Sequence, residues 1–519
     1  MSEGRERRRG RPRRVPGAEP GMRICLLTGG GYPYRRDALG GWCRGLVEGL
    51  SRRTFELLTI TDREPPGAPA YPLPGNVTEA RAVVLGRGEP RRGDGDGVAA
   101  VLLCRGLMGE PGHADDLFAD GLRRLVRHVD ADPDGTADDP LGGVPLAEAL
   151  LDAWRAERTG PPGTDRLPLP RLGVRDARTA ATLLRHAARP LGVHAPDVDL
   201  VHCVGGTTPL LAALAARWRT GTPMLLTEAR AVMGRLRPTE ERLSPTVRTV
   251  LRRFRHAVAR TGYAEAGLIA PLSAYHHGWA LRHGATPARL VPVPAGVDPT
   301  DFPAAPEPDT EPALVWAGTG GPDSGIGPLL DGFAAVVTAI PGTKLHLVGV
   351  TGTHEDHCAE RIERSGLGRA VRLHPLAADP RDRYADGHVV VHVPGPADPP
   401  YRLIEAMMSG RAVVGVDVGP VAETLGDAGI LVPADDPAAL AEACVTLLRE
   451  PARRRTLGDA ARRRALACFT TDRVVRAYDA LYADLAAPPP APVFELALAV
   501  PAPRAARPAT LRWLAQEQR

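Results

Sequence analysis

Lysine is almost missing from this chain. Lys344 is the only one in 519 residues, so arginine supplies nearly all of the positive charge. With the abundant alanine, glycine and proline, this points to a GC-rich coding bias more than to a function. Net charge is only +4, too little to argue for a nucleic-acid partner. Cysteine is scarce and dispersed. Cys25, Cys43, Cys104, Cys203, Cys358, Cys444 and Cys468 form no CxxC and no Cys/His spacing, which argues against structural zinc. Scattered thiols fit a reducing cytoplasm. No run of 18 apolar residues occurs, so no membrane-spanning helix is expected and at most a peripheral membrane contact. The opening MSEGRERRRGRPRRVPGAEPG (1–21) lacks the apolar stretch of a secretory signal. It reads as a disordered tail, or as a basic arm for anionic lipid or a partner. Met22 opens MRICLLT, so Met1 and Met22 both stand as possible starts. No GxGxxG in dinucleotide spacing and no Walker sequence is present.

What is present is alternation. RICLLT, FELLTIT, VDLVHCVG, TPMLLTEA, AGLIAPLS and ARLVPVP read as strands, with helical stretches such as GGWCRGLVEGLSRR and TVLRRFRHAVARTGY between them. Residues 62–96 are Pro/Gly-rich, and 106–195 read as helical pieces joined by loops. Together, about 62–196 is expected to be a largely helical insertion. PAAPEPDTEP (303–312) is a linker candidate. Alternation restarts with ALVWAG, KLHLVGV, VRLHP, HVVVHV, AVVGVDV and GILV. The expected class is therefore α/β, with two Rossmann-like doubly wound domains facing a cleft, at 22–302 and 313–470. A helix at 471–486 and a loose tail at 487–519 complete the expected organisation. Ligands of such sheets bind at the carboxyl ends of strands.

Three loops follow strands in that position. GGGYPYRRDALGGW is either an ordinary strand-to-helix turn or a backbone cradle for an anion or sugar. VWAGTGGPDSGIGPLLDGF repeats the pattern at the start of the second block and reads as a phosphate cradle. PGPADPPYRLIEAMMSG sets one acid, Glu405, among apolar neighbours early in a helix. A carboxylate there can accept hydrogen bonds from ribose or sugar hydroxyls, or it can simply be solvated or cap-bonding.

LIEAMMSGRAVVGVDVGPVAETLGDAGILVPADDPAALAEA resembles the nucleotide-sugar half of the family 4 retaining glycosyltransferases, which have the GT-B fold. VPVPAGVDPTDF resembles the same family. MRICLLTGGGYPYRRDALGGW and the segment ending in LLTEARAV are similar to the branch that includes the Pel exopolysaccharide glycosyltransferase, whose N-terminal domain is of the DUF3492 type. The resemblance spans about 22–485. It implies a nucleoside diphosphate sugar, UDP-linked foremost, held between the domains, with no cofactor and no metal. Residue by residue it places Glu405 on the donor ribose and Gly318 in the phosphate loop. Gly419 and Glu423 match the family's later glycine and acid, and Glu228 matches the acid before a histidine. Tyr32 and Tyr34, with Gly40 and Gly41 if the loop shifts, fall on the cleft loop of the acceptor side.

The departures are in charged groups. The first glutamate of the donor pair falls on Ala397, with Asp398 adjacent but shorter. The diphosphate-binding arginine and lysine fall on Thr319 and Ser324, the histidine on Ala229, and the paired glycines on Asp37 and Ala38. Such preorganised charge typically contributes about 10²- to 10³-fold in rate per group. Arg402, Arg372 and Arg235 are the candidates to replace it. The reading is a retaining hexosyltransferase with a rebuilt donor site, acting on a hydroxyl acceptor in exopolysaccharide or envelope glycan synthesis. The alternatives are a catalytically impaired GT-B protein that partners an active transferase, and an unrelated α/β binding protein.

Overall fold

The apolar run after Met22 becomes β1 (Arg23–Gly29), whose five central residues are buried. A strand buried on both faces belongs in the middle of a parallel sheet covered by helices. That is its place in the computed structural model, which describes residues 21–487 apart from 63, 65–66, 87–94, 110–111, 132–138, 160–168, 230–241, 305, 322–323, 351, 377–378 and 396–397. The strands β1, β2 (Thr54–Thr61), β3 (Val77–Val84), β4 (Leu200–Val204), β5 (Met224–Glu228) and β6 (Leu268–Pro271) form one sheet in the order β3-β2-β1-β4-β5-β6. The second sheet holds β7 (Ala313–Ala317), β8 (Lys344–Val348), β9 (Val371–His374), β10 (Val389–His392), β11 (Ala412–Val416) and β12 (Ile430–Val432). Its order is β12-β11-β10-β7-β8-β9. Each pairing is parallel. Each sheet reverses direction at its first strand, between β1 and β4 and between β7 and β10. That is the switch point where doubly wound folds open a ligand crevice.

Two expectations from the sequence are corrected. The stretch 62–96 does not simply begin an insertion, because β3 lies within it as the edge strand of the first sheet. Its sequence, VTEARAVV, is only partly buried, and an edge strand needs little apolar surface. ARLVPVP is not a named strand. Val291 and Val293 donate to Ile269 and Pro271 of β6, but Pro292 and Pro294 have no N–H to continue a ladder.

Helices α2 (Gly97–Met108), α3 (His113–Ala131), α4 (Leu146–Thr159) and α5 (Val174–Ala188) occupy the segment between β3 and β4. Leu103, Phe118 and Trp154 share one core with Leu27 and Leu58 of the sheet, so these helices cover one of its faces. Helix α1 (Ala38–Gly49) lies in the other core, beside the last helix.

That last helix, numbered α15 in chain order (Thr471–Ala486), follows the second sheet in sequence but packs on the first. Its Tyr482 hydroxyl lies 2.7 Å from His202 Nδ1, and Tyr478 Oη lies 2.6 Å from Thr227 Oγ1. His202 Nε2 closes the network to Thr227 at 2.7 Å. Where the chain crosses between lobes it pairs with itself: Val297 N donates to Phe469 O and Thr471 N to Val297 O, at 2.9 and 3.1 Å.

Candidate functional site

The site is built at the carboxyl ends of both sheets. Two cavities open there and meet at Asp37. The larger, about 580 Å³, lies in the first lobe and is lined by the loops after β1, β2 and β4, including Gly30, Tyr32, Tyr34, Arg35 and Gly206. The smaller, about 290 Å³, lies between the lobes, with Gly41, Arg44, Asp301, Arg383, Arg402 and Glu405 on its walls.

The glycine-rich turn after β1 is organised by Asp37. Its Oδ1 accepts from Gly40 N at 2.6 Å, making Asp37 the N-cap of α1. The amides of Gly40 and Gly41 are thereby used in starting the helix. Gly40 admits no side chain easily, since a Cβ there would sit 3.0 Å from Arg35 O. The Tyr32 carbonyl accepts from the hydroxyls of Thr28 and Thr59, which fixes the loop to the sheet. Tyr34 Oη donates to Ala80 O of β3.

In the second lobe, helix α11 (Tyr401–Met408) begins just beyond β10. Seven of its eight residues are buried, Glu405 among them. A buried carboxylate needs partners. Glu405 Oε2 accepts from Arg383 Nη1 at 2.6 Å, Arg402 Nη1 at 2.9 Å and Tyr384 Oη at 3.1 Å. Burial alone would raise its pKa, but the two guanidiniums outweigh it and hold the carboxyl below its ordinary value. Nearby His392 is pushed down to about 4, chiefly by burial. Arg383 is 8% exposed, and its Nε–H has no partner among the described residues.

The other residues singled out in the sequence are placed as follows. Gly318, Thr319 and Ser324 lie in the loop between β7 and α9 (Ile326–Ala339), lining neither cavity. Gly318 N donates to Val348 O, and Ser324 Oγ is buried without a partner among the described residues. Asp398 folds onto its own turn, accepting from Gly395 N at 2.8 Å. Ala397 and Arg235 lie outside the described residues. Arg372, on β9, donates to the carbonyls of Gly368 and Val371 and lines neither cavity. Gly419, with φ of 61°, precedes α12 (Val421–Leu425), which carries Glu423. The Glu423 carboxylate accepts from Ala274 N at 2.7 Å and Tyr275 N at 3.0 Å, at the start of α8 (Ala274–Arg282). It therefore ties the second lobe to the first. Glu228, the last residue of β5, is buried, accepts from Tyr263 Oη at 2.7 Å, and is pushed up to about 7 by desolvation. Ala229 beside it is fully buried.

The structure thus gathers Tyr32, Tyr34 and Gly40 at one cavity and Gly41 and Glu405 at the other. It leaves Gly318, Thr319, Ser324, Asp398, Gly419, Glu423 and Glu228 off both. Sequence reasoning missed Arg383. It lies 22 residues before Glu405 in a short 3-10 turn, with no motif to mark it.

Comparison with known proteins agrees with the fold. Residues 311–450 match the family model for glycosyl transferases group 1, and residues 22–114 match a domain of unknown function, DUF3492. No curated protein matches the chain by sequence. Among solved structures, sucrose-phosphate synthase from Thermosynechococcus elongatus superposes with a TM-score of 0.55 at 18% identity, covering 89% of this chain and 99% of that one. Anabaena HepE in complex with UDP and glucose gives 0.55 at 15% identity, covering 89% and 99%. The α,α-trehalose 6-phosphate synthase from Burkholderia multivorans gives 0.52 at 16% identity, covering 90% and 96%. At such identities the likeness is one of fold, and the fold is GT-B.

Proposed function

We propose, for a chain whose residues 311–450 form a group 1 glycosyl transferase domain within a GT-B fold, that it moves a hexose from a nucleoside diphosphate sugar to a hydroxyl acceptor with retention. UDP is the carrier we favour, and a glycan of exopolysaccharide or envelope synthesis is the acceptor class, as in the branch the N-terminal segment resembles. The free thiols suit a cytoplasmic setting. The observation that carries this reading is Arg383. It lines the interlobe cavity together with Arg402, so two guanidiniums stand where a bound diphosphate would place its charge.

The donor would lie between the lobes, with its diphosphate toward Arg383 and Arg402. Each guanidinium has five N–H donors, so a bond to Glu405 leaves others for phosphate oxygens. As the anomeric carbon–oxygen bond breaks, the leaving diphosphate gains negative charge where these two arginines stand. The acceptor hydroxyl, reaching in from the larger cavity past Asp37, forms the new bond. Its proton passes to the departing phosphate oxygen, so no protein base is required.

One specific observation favours a second reading, an impaired transferase that partners an active one. Glu405, the expected ribose ligand, is engaged by three donors of its own lobe, and Thr319 and Ser324 stand where cationic groups are expected. Hydrolysis of a UDP-sugar panel by purified protein separates the two. Turnover above the buffer rate that Arg383→Ala abolishes supports the first reading. Absence of both UDP binding and turnover supports the second.

A further inference from the structure

Among the described residues, His346, His374 and Asp386 each offer one ligand-type atom, and these atoms lie within 4.8 Å of one another. The fold brings them together from distant parts of the sequence. His346 sits on β8 and His374 ends β9. Register pairs His346 with Arg372 and Val348 with His374, so both imidazoles leave the same face of the sheet. Asp386 follows the 3-10 turn Pro380–Tyr384. His346 Nδ1 is 2.9 Å from His374 Nε2, and the rings are tilted by 31° at 5.0 Å.

We infer that these three side chains form a site for a divalent transition metal, with His346 Nδ1, His374 Nε2 and one Asp386 oxygen as ligands and water in the remaining position. Two imidazoles and one carboxylate suit Zn²⁺, Co²⁺, Ni²⁺ or Cu²⁺, and not Mg²⁺ or Ca²⁺, which prefer oxygen. Ligands on a tetrahedral zinc at ~2.0–2.1 Å stand about 3.4 Å apart. The two nitrogens therefore need open by only a few tenths of an ångström, and the exposed Asp386 can swing inward. A hydrogen bond between two imidazoles explains their own approach. It does not explain a carboxylate converging on the same point.

The site has a structural consequence. His374 and Asp386 bracket the segment that supplies Leu376, Pro380 and Arg383 to the interlobe cavity. A bound ion would pin both ends of that segment, and Arg383 would be a residue it positions. The ion takes no part in the transfer. The metal site does not rest on the transferase reading, and only this consequence touches it.

The test uses the full chain stripped with a chelator and titrated with Co²⁺, followed by the visible ligand-field bands and then by displacement with Zn²⁺. One equivalent is expected to bind. His374→Ala and Asp386→Asn should each weaken binding by about tenfold or more, while His113→Ala, at an exposed position on α3, should leave it unchanged. Asp386 is exposed, so its variant keeps the test decisive if His374→Ala fails to fold. Stoichiometric binding that survives both variants, or no binding by the folded wild-type chain, overturns the site.

Discussion

Arg383 and Glu405 form a buried ion pair of 2.6 Å at the wall of the interlobe cavity, and both side chains are less than a tenth exposed. Arg402 reaches the same carboxylate oxygen at 2.9 Å. Removing the acid would strand two guanidiniums in a poorly solvated place. Glu405→Ala should therefore lower unfolding stability by about 3–5 kcal/mol, read by chemical denaturation. A carboxylate that serves only a ligand would leave stability unchanged on removal.

The arginines should matter to catalysis more than to binding. If they stabilise the departing diphosphate, Arg402→Ala lowers kcat by about 10²- to 10³-fold with a smaller change in KM. Arg402 is the cleaner target. It is more exposed than Arg383, and its loss leaves the Arg383–Glu405 pair intact. Equal loss in KM alone would show that it only holds the donor.

Glu423 spans the lobes by accepting from the first two amides of α8. Glu423→Ala should leave each lobe folded but weaken their closure. The expected readout is a larger radius of gyration by small-angle scattering in the absence of nucleotide. A cap of this kind contributes about 1 kcal/mol, so the shift should be partial. An unchanged radius would show that the α15 crossing holds the lobes without it.

Much of the fold was legible because parallel strands buried on both faces leave near-continuous apolar runs, as in RICLLT and HVVVHV. Edge strand β3 was not, since its charged, half-exposed residues look like loop. ARLVPVP misled in the opposite way: its apolar content is right for a strand, but two prolines remove the donors a ladder needs. Glu405 stood out as an acid among apolar residues. Its neutralising partner did not, because Arg383 reaches it through tertiary packing. Asp37, read as a residue displacing a glycine, is the cap that shapes the loop and the point where the two cavities meet.

Glu228 gives a pH signature. Its folded pKa is raised from 4.5 to about 7, mainly by desolvation. The folded state thus keeps a proton that the unfolded chain releases. The associated stability is complete below the unfolded value and is lost as pH rises through about 7. His202 slopes the other way. Burial lowers it from 6.5 to about 3, so its contribution is lost as pH falls through that window. The wild-type profile mixes both, and the difference from Glu228→Gln isolates the acid. The variant should gain on wild type by about 3 kcal/mol between pH 4.5 and neutrality. A flat difference curve would mean that Glu228 ionises freely.

The most direct measurement is calorimetric titration of the purified chain with UDP, repeated with Arg383→Ala. The account predicts saturable one-to-one binding that the variant weakens by at least tenfold, about 1.4 kcal/mol. Wild-type protein that is folded yet takes up no UDP or other nucleoside diphosphate would contradict it.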